Sequence, residues 1–313
     1  MRRLKVLEDN LLWFVLGTTA LGLILPALGE VLYPLVSPLL ALLMFLVSLT
    51  FDTSDVKRVL KRPSWQVLAT FLVYGPMALV GALIGRLFFG GFASSPLAVG
   101  QALVGALPTD VSAPLLVLLG RGNVALAAVL NAVNTALAPF VVPPLLLLLT
   151  GVRFEVPLAK LMLELALIIM VPLVAGVFLR SRFPRAVSGL DPLYSFGASL
   201  TYLLLLLAVV GPNAGTILDY GAYALVILAA QLALNLTGYA LGATTRWITD
   251  SRETQIAFLF TVSKKEFSIA AAVVVASGLP EEVLVPAVVF AVVQMLTSPL
   301  AVRLLNRGRG PAG

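Results

Sequence analysis

Ten times along this chain an apolar run of about twenty residues is followed by a short polar connection. A helix needs roughly 20 apolar residues to cross the ~30 Å hydrocarbon core of a bilayer. The runs fall near residues 10–28, 33–50, 64–86, 96–120, 123–149, 158–180, 192–210, 218–244, 254–278 and 283–304. They are too long for membrane strands of about 9–11 residues and do not alternate in polarity. Of the 313 residues 60% are hydrophobic and 12% charged, against about 45–50% and about 25% in a soluble domain. A cleaved leader does not explain this, because the apolar character runs from Leu11 to Leu305. The expectation is an all-α integral membrane protein with ten transmembrane helices. The absence of cysteine and histidine excludes thiol chemistry, imidazole metal ligands and Ser-His triads.

The net charge of +6 would suit nucleic acid, but the placement of the basic residues points to lipid. With the N-terminus inside, the inner segments carry 16 of the 21 Lys and Arg, from Arg2, Arg3 and Lys5 through Lys57–Arg62, Arg121, Arg180–Arg185, Arg246 and Arg252 to Arg303–Arg309. The outer segments carry Arg86, Arg153 and Lys160. This bias follows the positive-inside rule. It implies a multi-pass protein of the cytoplasmic membrane, with both termini cytoplasmic and no nucleic-acid partner. The stretch Asp52–Arg62 reads as a short basic helix on the inner surface, an anchor against anionic lipid.

Two spans are interrupted by polar residues at matching places. The fourth contains Gly105-Ala106-Leu107-Pro108-Thr109-Asp110-Val111-Ser112-Ala113-Pro114; the ninth contains Thr261-Val262-Ser263-Lys264-Lys265-Glu266-Phe267-Ser268. Pro108 and Pro114 remove backbone donors and clash with the preceding turn, so the fourth span should unwind. Lys264, Lys265 and Glu266 are spread over about 200° of a regular helix. An unpaired charge at mid-membrane costs at least about 2.5–3.5 kcal/mol. Unwound backbone at that depth is tolerated only inside protein or against a polar cavity. A kink with a buried ion pair would account for one such span. Two, each fourth of five and about 155 residues apart, point to two inverted five-helix repeats and to solute transport.

Around these breaks the chain resembles the bile acid:sodium symporter family, within a superfamily that includes arsenite and auxin carriers. The likeness runs through Leu42–Leu46, Leu49–Asp52 and Val56–Leu60, then Leu119–Leu126, Val133–Thr135 with Ala138-Pro139 and Pro143-Pro144, then Leu236–Gly242 and Arg252–Thr254. The resemblance implies a panel domain (spans near 10–50 and 158–210) and a core domain (spans near 64–149 and 218–304). Helices 4 and 9 would be broken and cross at mid-membrane. It further implies sodium behind the crossing, an organic anion in the cleft between domains, and alternating access. The crossing region would comprise Pro108, Thr109, Asp110, Ser112, Asn134, Thr135, Ser263, Lys264, Glu266 and Ser268.

The sequence departs from the family at the cation ligands. The family's fourth-span Ser-Asn pair falls on Ala113 and Pro114, and its fifth-span Ser and Thr on Ala127 and Asn131. Its ninth-span glutamate falls on Thr261, and the glutamine four residues on falls on Lys265. Sodium needs several oxygen donors, and an ammonium supplies none and repels the ion. Hence Lys265 or Lys264 is expected to replace sodium as a built-in cation, holding the crossing together with Asp110 or Glu266. Proton coupling and uncoupled exchange both fit this arrangement. No cofactor or metal is expected.

Asn131, Asn134 and Thr135 share one helical face, and Gln231 and Asn235 another; the first set suits the crossing. Lys160 and Glu164 suit an exposed ion pair. An arsenite-type exporter is disfavoured because its marker cysteine is missing. An intramembrane enzyme is disfavoured because no nucleophile–base motif accompanies Asp110 and Lys265.

Overall fold

The computed structural model describes residues 10–51 and 63–306, and among these it is all helical, with no strand. The basic stretch 52–62 lies outside the described residues, as do Arg2, Arg3, Lys5, Arg307 and Arg309. Helices α1 (Leu11–Ile24), α2 (Pro26–Leu32) and α3 (Val36–Ser48) come first, followed by α4 (Pro63–Tyr74) and α5 (Pro76–Phe89). Next are α6 (Pro96–Ala106), α7 (Ala113–Leu119), α8 (Val124–Thr150), α9 (Leu158–Arg182), α10 (Pro184–Ser188) and α11 (Asp191–Val210). The chain ends with α12 (Ala214–Asp219), α13 (Ala224–Ala243), α14 (Arg252–Ser263), α15 (Phe267–Ser277) and α16 (Val285–Asn306). Among the described residues, seven stretches are long and apolar enough to span a membrane by themselves: Pro26–Ser48, Pro63–Phe89, Val124–Thr150, Leu158–Arg182, Asp191–Val210, Gly221–Trp247 and Glu281–Asn306.

Prolines set many of the boundaries. A proline fits the first turn of a helix, where its missing N–H has no partner to lose, and Pro26, Pro76 and Pro96 all open helices. The expected first run, 10–28, is corrected by this effect: the chain turns inside it at Leu25 (φ −125°, ψ 68°), because Pro26 disfavours the helical region for the residue before it. Pro76 likewise breaks the third span at Gly75, which leaves the helical region at φ −93° and ψ −92°. Ser95, Asn123 and Ser251 cap α6, α8 and α14 by accepting from Ala98, Leu126 and Thr254 N–H groups.

Packing is close where side chains are absent. A Cβ on Gly81 would lie 2.6 Å from the Gly105 Cα, and one on Gly85 would lie 2.7 Å from the Ala98 carbonyl oxygen, so α5 and α6 touch backbone to backbone. Gly238 and Gly242 bring α13 equally near α14, with the Ser263 Cα at 2.6 Å and the Leu259 Cα at 2.7 Å from the Cβ positions. Small residues four apart are how membrane helices approach closely. Large apolar side chains remain outside, among them Leu163, Leu167, Val171, Val174 and Phe178 along one side of α9. In water such a face would be a liability; in lipid it is the solvent-facing surface.

Candidate functional site

The fourth span stops at Ala106 and resumes at Ala113, and the ninth stops at Ser263 and resumes at Phe267. These two interruptions meet. The Glu266 N–H donates to the Pro108 carbonyl (3.0 Å) and the Thr109 hydroxyl to the Thr261 carbonyl (2.7 Å). The Val111 N–H donates to the Glu266 carboxylate (2.9 Å). In a continuous helix Val111 would bond to the Leu107 carbonyl, so the break in one span is completed by the other.

Amide side chains from the helices that follow pin each break. The Asn131 amide on α8 donates to the Asp110 carbonyl (3.1 Å). On α16, Gln294 accepts from the Lys265 N–H (3.0 Å) and donates to the Lys265 carbonyl (3.1 Å). It also donates to the Asp110 carboxylate (3.2 Å). Ser112 binds Asp110 through its hydroxyl and, at 2.8 Å, its N–H, and the Ser268 hydroxyl donates to Glu266. Thr109, Asp110, Ser263, Lys264, Lys265, Glu266 and Ser268 are all fully buried.

Neither lysine ammonium bonds directly to a carboxylate, although Lys264 and Asp110 are charge neighbours. The Lys265 ammonium donates to two backbone carbonyls, Val73 (3.1 Å) and Leu107 (2.8 Å). Val73 stands just before the Gly75–Pro76 break, and Leu107 just before Pro108. Both carbonyls are thus at places where regular helix hydrogen bonding ends, and an ammonium with three donors satisfies them better than a carboxylate could. The Lys264 ammonium donates to the Gln294 carbonyl, which also accepts from the Ser298 hydroxyl. Both lysines therefore point into neighbouring helices.

Thr135 donates to Asn131 (3.0 Å) and belongs with the break, whereas Asn134 turns away from it. Asn134 accepts from Thr70 (2.8 Å) and Gln66 (3.2 Å) on α4, and its carbonyl accepts from Tyr74. The side chain at 134 therefore ties α8 to α4. Asn235 donates to the Ser263 carbonyl (2.9 Å) and accepts from Thr297 (2.8 Å), while Gln231 bonds to Gln101. Lys160 and Glu164 do form an exposed pair at 3.7 Å.

The side chains at the cation-equivalent positions offer few free oxygens. Ala113, Pro114 and Ala127 present only hydrocarbon, and both ends of the Asn131 amide are engaged. The Thr261 hydroxyl is buried without a partner and stands alone among them as a free oxygen.

Beside the breaks lies a cavity of about 530 Å³. One wall is formed by Val111, Ser112, Pro114 and Leu115, the other by Leu43 and Val47 of α3 and by Ser195, Ser199 and Tyr202 of α11. Among the described residues no charged side chain lines it. Tyr202 and Gln294 had no signal in the sequence beyond being polar groups in apolar spans.

The sequence profile of the SBF-like CPA transporter family matches residues 9–307. A Bacillus subtilis (strain 168) protein named "Uncharacterized sodium-dependent transporter YocS" is 30% identical over 234 residues, covering 73% of this chain and 70% of its own. YbaS from the same organism is 27% identical, covering 85% and 87%. The Arabidopsis thaliana protein named "Probable sodium/metabolite cotransporter BASS1, chloroplastic" is 28% identical, covering 65% of this chain and 49% of its own. With its membrane-spanning helices and its match over nearly all of its length, the chain belongs to the SBF-like CPA transporter family and is a multi-pass membrane transporter, not an enzyme.

Proposed function

We propose that this chain is a secondary active transporter that moves an organic anion by alternating access, with fixed lysine ammonium groups in place of bound sodium. The observation that carries the reading is the Lys265 ammonium held between the Val73 and Leu107 carbonyls. It stands at the position where the family resemblance puts a glutamine beside sodium.

Ten helices in two inverted repeats form the proposed frame. The glycine pairs 81 and 85, and 238 and 242, stand 157 residues apart, and each packs its helix on the first half of the following broken span. The amide clamps repeat as well: Asn131 holds the first break from α8, and Gln294 holds the second from α16. The core then comprises spans 3–5 and 8–10, and the panel spans 1, 2, 6 and 7, with the cavity between them. With both termini cytoplasmic in the cytoplasmic membrane, the cavity faces the inner side, since Phe51, Leu118 and Val124 at its rim lie at inner helix ends.

Charge accounting supports a proton as coupling ion. Asp110, Glu266, Lys264 and Lys265 together sum to zero, so the crossing offers an anion no net attraction. Adding one proton to a carboxylate makes the group +1. Proton and anion then stabilise each other's binding, which is thermodynamic coupling. Purified protein in liposomes, offered radiolabelled organic acids under imposed proton or sodium gradients, tests this. Accumulation driven by a proton gradient and indifferent to sodium is expected. Accumulation that requires sodium overturns it.

A further inference from the structure

Each break ends in the same short pattern, an acid followed two residues later by a serine: Asp110 with Ser112, and Glu266 with Ser268. In each pair the serine hydroxyl donates back to the carboxylate. Ser112 stands at the start of α7, yet its side chain bonds none of that helix's N–H groups. A serine in that place ordinarily accepts from one of them, so this hydroxyl is diverted to Asp110.

The donors and acceptors around Asp110 determine what a proton would change. Its Oδ1 accepts from the Ser112 N–H (2.8 Å) and the Ser112 hydroxyl, and its Oδ2 accepts from the Gln294 amide (3.2 Å). Lys264, Glu266 and Tyr202 are its charged and titratable neighbours, while its hydrogen bonds go to Ser112 and Gln294. Each of these partners donates, which suits a carboxylate and leaves the proton of a carboxylic acid without an acceptor. A backbone N–H has no lone pair to offer. The Gln294 amide could offer its oxygen only by turning over, which would break its two bonds to Lys265 (3.0 and 3.1 Å). The Ser112 hydroxyl can reverse, because a hydroxyl both donates and accepts. Reversal makes it accept from Asp110 and swings its own O–H away from the carboxyl group. Asp110 is fully buried, whereas Ser112 is partly exposed and lines the cavity.

We infer that Ser112 couples the proton to the solute: when Asp110 takes a proton, the Ser112 hydroxyl turns over and presents its O–H to the anion in the cavity. The inference rests on the transport reading above and deepens it by naming the group that joins the two ligands. The proton passes from cavity water to Asp110 Oδ1, where one O–H bond forms, and it returns to water by the same route. While Asp110 is ionised the hydroxyl is held against the carboxylate and has only lone pairs to show an anion. Ser268 is fully buried, so a proton on Glu266 would leave the Ser268 O–H without an acceptor in this conformation. The proton therefore sits on Asp110 while the cavity faces the inner side, and the Glu266–Ser268 pair is the counterpart for the outward-facing state.

The chain has no cysteine of its own, so thiol reagents of permanent charge serve as probes. Leu115, one turn after Ser112 on the cavity wall, becomes the reporter in full-length Leu115→Cys. The reagents are the anionic 2-sulfonatoethyl methanethiosulfonate and its cationic 2-trimethylammonioethyl counterpart, applied from mildly alkaline to mildly acid pH. The ratio of their rates cancels the ionisation of the thiol itself. Acidification should raise the anionic-to-cationic ratio about tenfold more with Ser112 than with Ser112→Ala, the worth of one hydrogen bond to a charged group. Ser112→Thr keeps a hydroxyl and should follow Ser112, and Asp110→Asn should remove most of the rise. An equal rise in Ser112→Ala, a Ser112→Thr variant that follows Ser112→Ala, or a full rise in Asp110→Asn overturns the inference. The alanine and threonine variants decide the matter even where Asp110→Asn does not purify as a single species. Liposomes in which the wild type accumulates no organic acid on a proton gradient would instead sink the transport reading and leave the reagent profile unchanged.

Discussion

On the proposed exchange of lysine for sodium, replacing Lys265 by glutamine should give the protein a response to sodium that the wild type lacks. The substitution removes an ammonium from the Val73 and Leu107 carbonyls and restores the residue expected there from the family resemblance. Two opposing terms act on the empty variant. Carbonyls left without a donor cost about 1–3 kcal/mol each, whereas removing a buried charge returns several kcal/mol of desolvation. Their near-cancellation makes absolute stability a poor readout. The response to sodium is a better one. The two carbonyls and the new amide oxygen offer sodium three oxygen donors. For a site with a Kd of about 10 mM, ~150 mM sodium stabilises the folded state by about 1.6 kcal/mol through mass action. Thermal unfolding in detergent, with choline as the control cation, measures this. Trp65, whose ring packs against Phe258 at 5.6 Å, gives a fluorescence signal from the region that should respond. A wild-type protein stabilised by sodium over choline, or a Lys265→Gln variant indifferent to it, refutes the reasoning.

Gly81→Ala and Gly238→Ala should each destabilise the protein, because the new methyl meets backbone at 2.6 Å; overpacking costs about 1–3 kcal/mol and outweighs a helix-propensity gain of about 0.5–1 kcal/mol. Gly17→Ala, with nothing within 4 Å of the added carbon, should be neutral or stabilising, and denaturant unfolding in detergent would separate the three. Glu266→Gln keeps an acceptor for the Val111 N–H but cannot carry a proton. It should retain solute exchange and lose proton-driven accumulation in liposomes, and a variant that still accumulates solute on an acid gradient excludes Glu266 as the carrier. Asn131→Leu should unpin the first break, whose Asp110 carbonyl it holds, and lower the unfolding temperature more than Asn134→Leu, whose partners lie on α4 at the periphery of the site.

The breaks themselves were legible because proline and clustered charge are strong local signals, and Pro108 and Lys264–Glu266 do interrupt their helices. The end of the first run falls at Leu25 and not at 28, because Pro26 constrains the backbone more than the loss of apolar character that marks 29–32. The destination of Lys265 was not legible. Its four-carbon stem reaches a carbonyl 192 residues away, freed by a break whose geometry is a tertiary fact. The Gly81–Gly85 and Gly238–Gly242 pairs were in plain view, and only the close helix approach they permit gives their common spacing meaning. Tyr202 could not be singled out, since a tyrosine in an apolar span usually marks an interface with lipid headgroups; its burial against Phe267 beside the breaks is a tertiary fact.

The reciprocal completion of the two breaks also bears on how the protein is made. The half-helices α6 and α7 contain 11 and 7 residues, roughly 16 and 10 Å of helix at 1.5 Å per residue, so neither reaches across the hydrocarbon alone. Between them Val111 depends on Glu266 for a partner, and Leu107 depends on Lys265. These residues are synthesised more than 150 positions later. A ribosome-bound chain that has not yet released its ninth span therefore holds a fourth span with unsatisfied backbone. Its final seating must await the second half. A chain cut within the loop before α14 should leave that segment more open to added protease than its neighbours α5 and α8.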